Sequence, residues 1–228
     1  MDSLYIVMPA YNEAAHLGGV LDSVKKQIRD VLVVDDGSKD GTADIARNCG
    51  AELLSRGYNC GKGQSLREGY SWALAHGYDA VIMLDSDGQH DPACIPAFIR
   101  KFQQTHAPLI IGARNYNEMP FRRRIPNKIG KALFSLAVGQ NIPDNQSGYR
   151  LLDRDLMGRM LSSSEAGYHF EVEMIAVCIA ENLAIEWVPI PTIYGDEKSS
   201  QNPLDQLIGF PKMCLKARRM IREKRNSS

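Results

Sequence analysis

Short runs of apolar, β-branched residues alternate along this chain with stretches in which apolar positions recur every three to four residues. This rhythm predicts βαβ units and a parallel sheet. Strands are expected at Leu4 to Met8, Val31 to Val34, Leu53 with Leu54, Ala80 to Leu84 and Leu109 to Ala113. The intervening helices are expected at Ala14 to Ile28, Thr42 to Cys49, Gly63 to His76 and Pro92 to Thr105. The second half continues with helices from Pro126 to Val138, near Asp155 to Leu161 and near Phe170 to Glu181, then a strand from Ala184 to Val188. No linker rich in Gly, Ser or Pro divides the chain, and no internal repeat is present. The fold class is therefore α/β: one Rossmann-like domain over 1–202, with a mostly parallel central sheet flanked by helices. A basic helix or tail over 203–228 follows.

The polar residues that close the strands carry the chemistry. Pro9-Ala10-Tyr11-Asn12-Glu13 follows the first strand, Asp35-Asp36-Gly37-Ser38 the second, and Asp85-Ser86-Asp87-Gly88-Gln89-His90 the strand at Ala80 to Leu84. In an open parallel sheet the carboxyl ends of the strands form the ligand edge, so three acidic turns should meet there. Asp85 and Asp87 are two residues apart, the strand spacing that points both to one side, and Gln89 extends the file. Two carboxylates and an amide oxygen suit a hard divalent cation. The plainer reading of the same residues is a turn, since Asp, Ser and Gly form turns in any case.

Composition narrows the classes. The 228 residues are 44% hydrophobic, enough for a full core, and 27 basic residues balance 27 acidic ones, which leaves no bulk charge for nucleic acid. From Leu204 onward there are seven basic residues against two acidic. A helix there is expected to place Leu204, Leu207, Ile208, Cys214 and Leu215 near one face and Lys212, Lys216 and Arg219 on another. It reads either as a solvated element docked on the domain or as a membrane-surface helix. The five cysteines are scattered without a C-x-x-C pair, which predicts neither a disulfide framework nor a zinc knuckle and points to a reducing, cytoplasmic compartment. No signal-like segment precedes the first strand, and no apolar run reaches the about 20 residues of a membrane span. Gly57 to Gly63 is one residue short of a P-loop and lacks its Ser or Thr. Asp85-Ser86-Asp87 is misplaced for a phosphatase pair, and the first loop lacks the glycine-rich, arginine-containing character of a sugar nucleotidyltransferase.

Taken together, Pro9 to Glu13, Val34 to Thr42, Asn59-Cys60-Gly61-Lys62-Gly63, Asp85 to His90 and Ser147-Gly148-Tyr149-Arg150 resemble family 2 glycosyltransferases, within them the polyprenyl-phosphate, dolichol-phosphate mannose synthase-like branch. The resemblance runs from Leu4 to about Pro203. It implies a GT-A fold and inverting transfer of a single hexose from a nucleotide sugar of the GDP-mannose or UDP-glucose type to a polyprenyl phosphate or other lipid. A nucleotide-sugar-binding half over 1–114 and an acceptor-side half over 115–202 are expected. Carried over residue by residue, Pro9, Tyr11, Glu13, Val34 and Asp36 hold the nucleoside. Asp85, Asp87 and Gln89 hold Mg²⁺ or Mn²⁺ on the diphosphate, beside Ser86. Arg114, Lys128 and Lys198 are the phosphate-binding cations, and Asp87, Arg114 and Lys128 the catalytic set.

Arg122-Arg123-Arg124 fits an acceptor phosphate or a solvated loop. A phosphate acceptor is already an oxyanion and needs no base, whereas a hydroxyl acceptor needs one, for which Glu171 is the candidate. His90 and His169 read as structural residues. Thr192 stands where the mannose synthases tend to carry an arginine, which leaves nucleobase and sugar open. The Gln-x-x-Arg-Trp signature of processive synthases is absent, and appended membrane helices are too, so membrane contact should be peripheral, through the basic C-terminal helix. A nucleotide-sugar-binding module without turnover is the non-enzyme alternative.

Overall fold

The computed structural model describes residues 3–167, 169–193 and 209–226. Seven strands form one sheet: β1 (Leu4–Ala10), β2 (Val31–Asp35), β3 (Glu52–Ser55), β4 (Ala80–Met83), β5 (Leu109–Arg114), β6 (Arg150–Asp153) and β7 (Ile185–Ile190), in the order β3-β2-β1-β4-β6-β5-β7. All run parallel except β6, which lies antiparallel between β4 and β5. The helices are α1 (Leu17–Lys25), α2 (Thr42–Asn48), α3 (Lys62–Ala75), α4 (Ile95–Thr105, after a 3-10 turn at Pro92–Cys94), α5 (Phe121–Val138), α6 (Arg154–Met160), α7 (His169–Ala180) and α8 (Phe210–Asn226).

The central strands are buried on both faces, which is why they read as continuous apolar runs. Tyr5, Val7, Leu32, Val34, Val81 and Met83 face a core shared with α3, α5, α6, α7 and α8. Ile6, Met8, Val31, Val33, Ile82 and Leu84 face a second core under α1, α2 and α4. The result is a helix–sheet–helix sandwich whose β1, β2 and β4 carboxyl ends open on one edge.

Three elements differ from the sequence expectation. β6 is a four-residue strand, too short to show a period, and its register (Val81 opposite Leu152, Ile111 opposite Arg150) exists only because the returning chain finds a gap between β4 and β5. α5 begins at Phe121, with extended Pro120 as its cap, so the arginine run is helical and Pro126 lies inside the helix. α8 buries Met213, Cys214, Ala217 and Ile221, and Leu215, expected on that seam, is 66% exposed because it falls about 100° round from Cys214. Leu204, Leu207 and Ile208 lie outside the described residues. Lys216 pairs with Glu165 (2.6 Å) and Glu173 (3.0 Å), Arg219 with Glu223 (2.6 Å) and Lys224 with Glu181 (3.8 Å), so α8 answers much of its own charge. All five cysteines are free.

Candidate active site

The open edge holds a cavity of about 590 Å³, within the range of small-molecule sites. The early strands contribute to its wall: Pro9 at the end of β1 with Tyr11 and Glu13 after it, Asp36 after β2, and Asp85, Ser86, Asp87, Gln89 and His90 after β4. The acidic turns therefore meet, as their positions at strand ends predict. Hydrogen bonds lock them together. Asn12 N–H donates to Ser38 Oγ (2.8 Å) and Glu13 N–H to Thr42 Oγ1 (2.9 Å), tying the first loop to the second. Buried Ser86 donates from Oγ to the Pro9 carbonyl (2.9 Å), tying the β4 end to the first loop. Asp87 closes its own turn by accepting from Gln89 N–H at 2.9 Å, with Gly88 at φ +77°.

Asp36 reaches the cavity already engaged, because its two carboxylate oxygens accept from Cys60 N–H and Gly61 N–H, both at 2.8 Å. That pair fixes the turn that starts α3. Gly61 has φ +92°, and a Cβ there would lie 2.5 Å from the Ala166 carbonyl oxygen, so the turn accepts only glycine. The turn delivers Lys62.

Lys62 Nζ lies 2.5 Å from Asp85 Oδ1 and 2.8 Å from Glu171 Oε1. Burial works against its charge, but the two carboxylates hold its pKa well above the ordinary lysine value. Burial likewise pushes the Asp85 carboxyl up, and Lys62 more than reverses it, leaving Asp85 below the usual carboxylate range. The three charges crowd around Gly148, where a Cβ would stand 2.5 Å from Asp85 Oδ2 and 3.0 Å from both Glu171 Oε1 and Lys62 Nζ. His90 accepts through Nδ1 from Asp85 N–H at 3.1 Å. Burial lowers its pKa to about 4, so it is a neutral residue shaping the Asp85 backbone.

The opposite wall is basic. Arg114, at the end of β5, makes a bidentate pair with fully buried Asp144 (Nε 2.7 Å, Nη2 3.0 Å), which also accepts from Tyr116 Oη (2.9 Å) and Gln146 N–H (3.0 Å). Burial raises the Asp144 carboxyl, and Arg114 overrides this to pull it down. Arg122, Arg123, Pro126 and Asn127 line the cavity from α5, while Arg124 turns away to donate to the Asn117 carbonyl (2.7 Å) and the Met119 carbonyl (3.0 Å). Fully buried Arg150 holds the 145–148 loop from behind, donating to the carbonyls of Ser147 (2.8 Å) and Glu171.

Two expected site residues are elsewhere. Val34 is fully buried against α3, since the strand period turns its side chain to the core face and not to the edge. Lys128 is exposed and donates to Asn117 Oδ1 (3.1 Å), away from the cavity. With α5 starting at Phe121, the helical phase gives the wall to Arg122 and Arg123 instead. Lys198 lies outside the described residues. Sequence reasoning does not assign Lys62, Asp144 or Gly148 to the site. Gly61-Lys62-Gly63 was visible as a motif, but its carboxylate partners sit far along the chain.

Residues 5–161 match the sequence profile described as "Glycosyl transferase family 2". The chain belongs to that family. The undecaprenyl-phosphate mannosyltransferase of Micrococcus luteus is 33% identical over 213 residues, covering 85% of this chain and 86% of that protein. The UDP-N-acetylglucosamine–dolichyl-phosphate N-acetylglucosaminyltransferase of Methanococcus voltae is 28% identical over 232 residues, covering 91% and 92%. Among solved structures, Mycobacterium tuberculosis glucosyl-3-phosphoglycerate synthase, in complex with Mn²⁺, UDP-glucose and phosphoglyceric acid, superposes with a TM-score of 0.75 at 21% identity, covering 95% of this chain and 80% of that one. That likeness establishes the GT-A fold. Asp85, Asp87 and Gln89, which line the cavity, present carboxylate and amide oxygens of the kind a hard divalent cation takes, and no group of three His, Cys, Asp or Glu forms a closed cage among the described residues.

Proposed function

We propose that this glycosyltransferase moves one hexose, with inversion, from a nucleotide sugar to a polyprenyl phosphate. The observation that carries the reading is one cavity with an acidic wall at the β4 end and a basic wall on α5. Pro9 and Tyr11 offer apolar and aromatic surface to a nucleobase, and Glu13 with Asp36 suits base or ribose donors. Asp85, Asp87 and Gln89 would hold Mg²⁺ or Mn²⁺, which when bound stabilises the charge growing on the departing diphosphate. Arg114, steadied by Asp144, faces the same diphosphate.

Arg122 and Arg123 suit the acceptor phosphate, whose oxyanion attacks the anomeric carbon as the bond to the diphosphate breaks. Because the nucleophile arrives ionised, the chain's task is positioning and charge stabilisation. Glu171, the candidate base for a hydroxyl acceptor, is paired with Lys62, and this favours the phosphate acceptor. The names of the relatives in Micrococcus luteus and Methanococcus voltae point the same way.

A thermal-shift screen of nucleotide sugars tests the donor half, because a ligand of the folded state alone raises Tm. The reading expects a rise that grows with Mn²⁺, and in Asp87→Ala loss of the Mn²⁺-dependent part. An unchanged Mn²⁺ effect in that variant would overturn the metal assignment. Binding without any transfer would leave a sugar-nucleotide-binding module.

A further inference from the structure

We propose that the outward face of α5 is the surface by which this protein rests on a bilayer containing anionic lipid. The choice of lipid as occupant rests on the acceptor reading above, but the surface stands on its own geometry. Phe121, Ile125, Ile129, Leu133 and Leu136 follow one another at intervals of four, four, four and three residues, so they form one stripe along the helix. They are 71%, 45%, 55%, 45% and 80% exposed. The opposite stripe of the same helix, Gly130, Phe134 and Val138, is buried in the core. α5 thus has two apolar faces, of which the described residues cover one. Single exposed apolar residues are ordinary on protein surfaces, but a contiguous row of five on the solvent side of a helix marks an interface.

Charge selects the occupant. α5 contains Arg122, Arg123, Arg124, Lys128 and Lys131 and no acidic residue. Exposed Lys128 and Arg122 lie on either side of the stripe, where anionic headgroups would sit while Phe121 and the aliphatic residues enter the acyl boundary. A second copy packed across a two-fold axis would set this basic helix against itself. Position agrees with charge, because Arg122, Arg123, Pro126 and Asn127 of the same helix line the cavity. A bilayer lying on α5 would be at the cavity mouth, and a lipid phosphate could reach the basic wall without leaving the membrane. The basic helix α8, expected to make this contact, is a poorer fit: its apolar seam is turned inward, and Lys216, Arg219 and Lys224 pair with carboxylates of the chain.

Sedimentation of the full chain with sucrose-loaded vesicles tests the inference, using phosphatidylcholine alone and phosphatidylcholine mixed with phosphatidylglycerol. The wild type should pellet with the anionic vesicles. Ile129→Ser/Leu133→Ser/Leu136→Ser should lower partition by about tenfold, since each serine removes apolar area from the bilayer contact. Leu136→Glu alone should weaken it in the same direction, which keeps the test valid if the triple variant folds poorly. Lys212→Glu/Arg218→Glu/Arg222→Glu, on α8, should leave partition unchanged.

A wild type that stays in the supernatant with both vesicles, or an α5 triple variant that pellets like the wild type, would overturn the proposal. So would self-association that the triple variant abolishes. Transfer to a short-chain, water-soluble polyprenyl phosphate should be unchanged in the triple variant. A wild type that pellets with the anionic vesicles but transfers no sugar to the soluble polyprenyl phosphate would count against the acceptor reading and still support the surface.

Discussion

The Lys62 ammonium sits 2.5 Å from the Asp85 carboxylate and, on its other side, 2.8 Å from Glu171. It therefore joins the β3–α3 turn, the turn after β4 and the first turn of α7. Removing it leaves the buried Glu171 carboxylate facing the partly buried Asp85 carboxylate. Lys62→Met should cost about 3 to 5 kcal/mol, the range for breaking a buried pair. Urea unfolding measures this, and Lys62→Met/Glu171→Gln should recover part of the loss.

Gly148 is the gap that lets these three charges converge. With a Cβ 2.5 Å from Asp85 Oδ2, Gly148→Ala must displace the carboxylate. The expected result is a folded protein, about 1–3 kcal/mol less stable, the usual cost of overpacking, with transfer reduced at least about tenfold because misplacement at a reacting centre is costly. Parallel unfolding and initial-rate measurements separate the two effects.

The pair of Arg114 and Asp144 predicts a pH dependence. The folded Asp144 carboxyl titrates below its ordinary value of 3.8, so its stabilisation is fully present above about pH 3.8 and is lost as pH falls through the lower folded value. Asp144→Asn should be less stable than wild type at neutral pH, and the gap between their urea midpoints should close toward the acid end. A gap that widened on acidification would reverse the assigned sign.

Helical phase on α5 separates Arg122 from Lys128. Arg122→Ala should raise the acceptor KM by about tenfold, as expected when a charge-assisted contact to a phosphate is removed. Lys128→Ala should leave transfer to a water-soluble acceptor within about twofold of wild type, as for an ordinary surface site. Steady-state kinetics with a short-chain polyprenyl phosphate decides between them.

The first half of the fold was legible because β1, β2 and β4 are continuous apolar runs ending in polar turns, and those turns carry Pro9, Tyr11, Glu13, Asp36 and Asp85 to one edge. β6 was not legible, because Arg150–Asp153 offers no period and depends on neighbours from two other strands. The family resemblance puts Val34 with the nucleoside-binding residues, but its side chain lies on the core face of β2, packed against Gly69 of α3. Lys128 is expected in the site from the family resemblance alone. The helix starts at Phe121, and that start rotates it away from the cavity. The partnership of Lys62 with Glu171 is a tertiary fact with no local signal.

The central claim is a single hexose transferred to a polyprenyl phosphate at the cavity between Asp87 and Arg122. Its most direct test is mass spectrometry of the lipid after incubation with Mn²⁺, a panel of nucleotide sugars and a short-chain polyprenyl phosphate. The account predicts a product heavier by one hexose from one donor class, lost with chelator and in Asp87→Ala. Hydrolysis of the donor, or transfer to a hydroxyl-bearing glycan, with the lipid phosphate left unmodified, would contradict it.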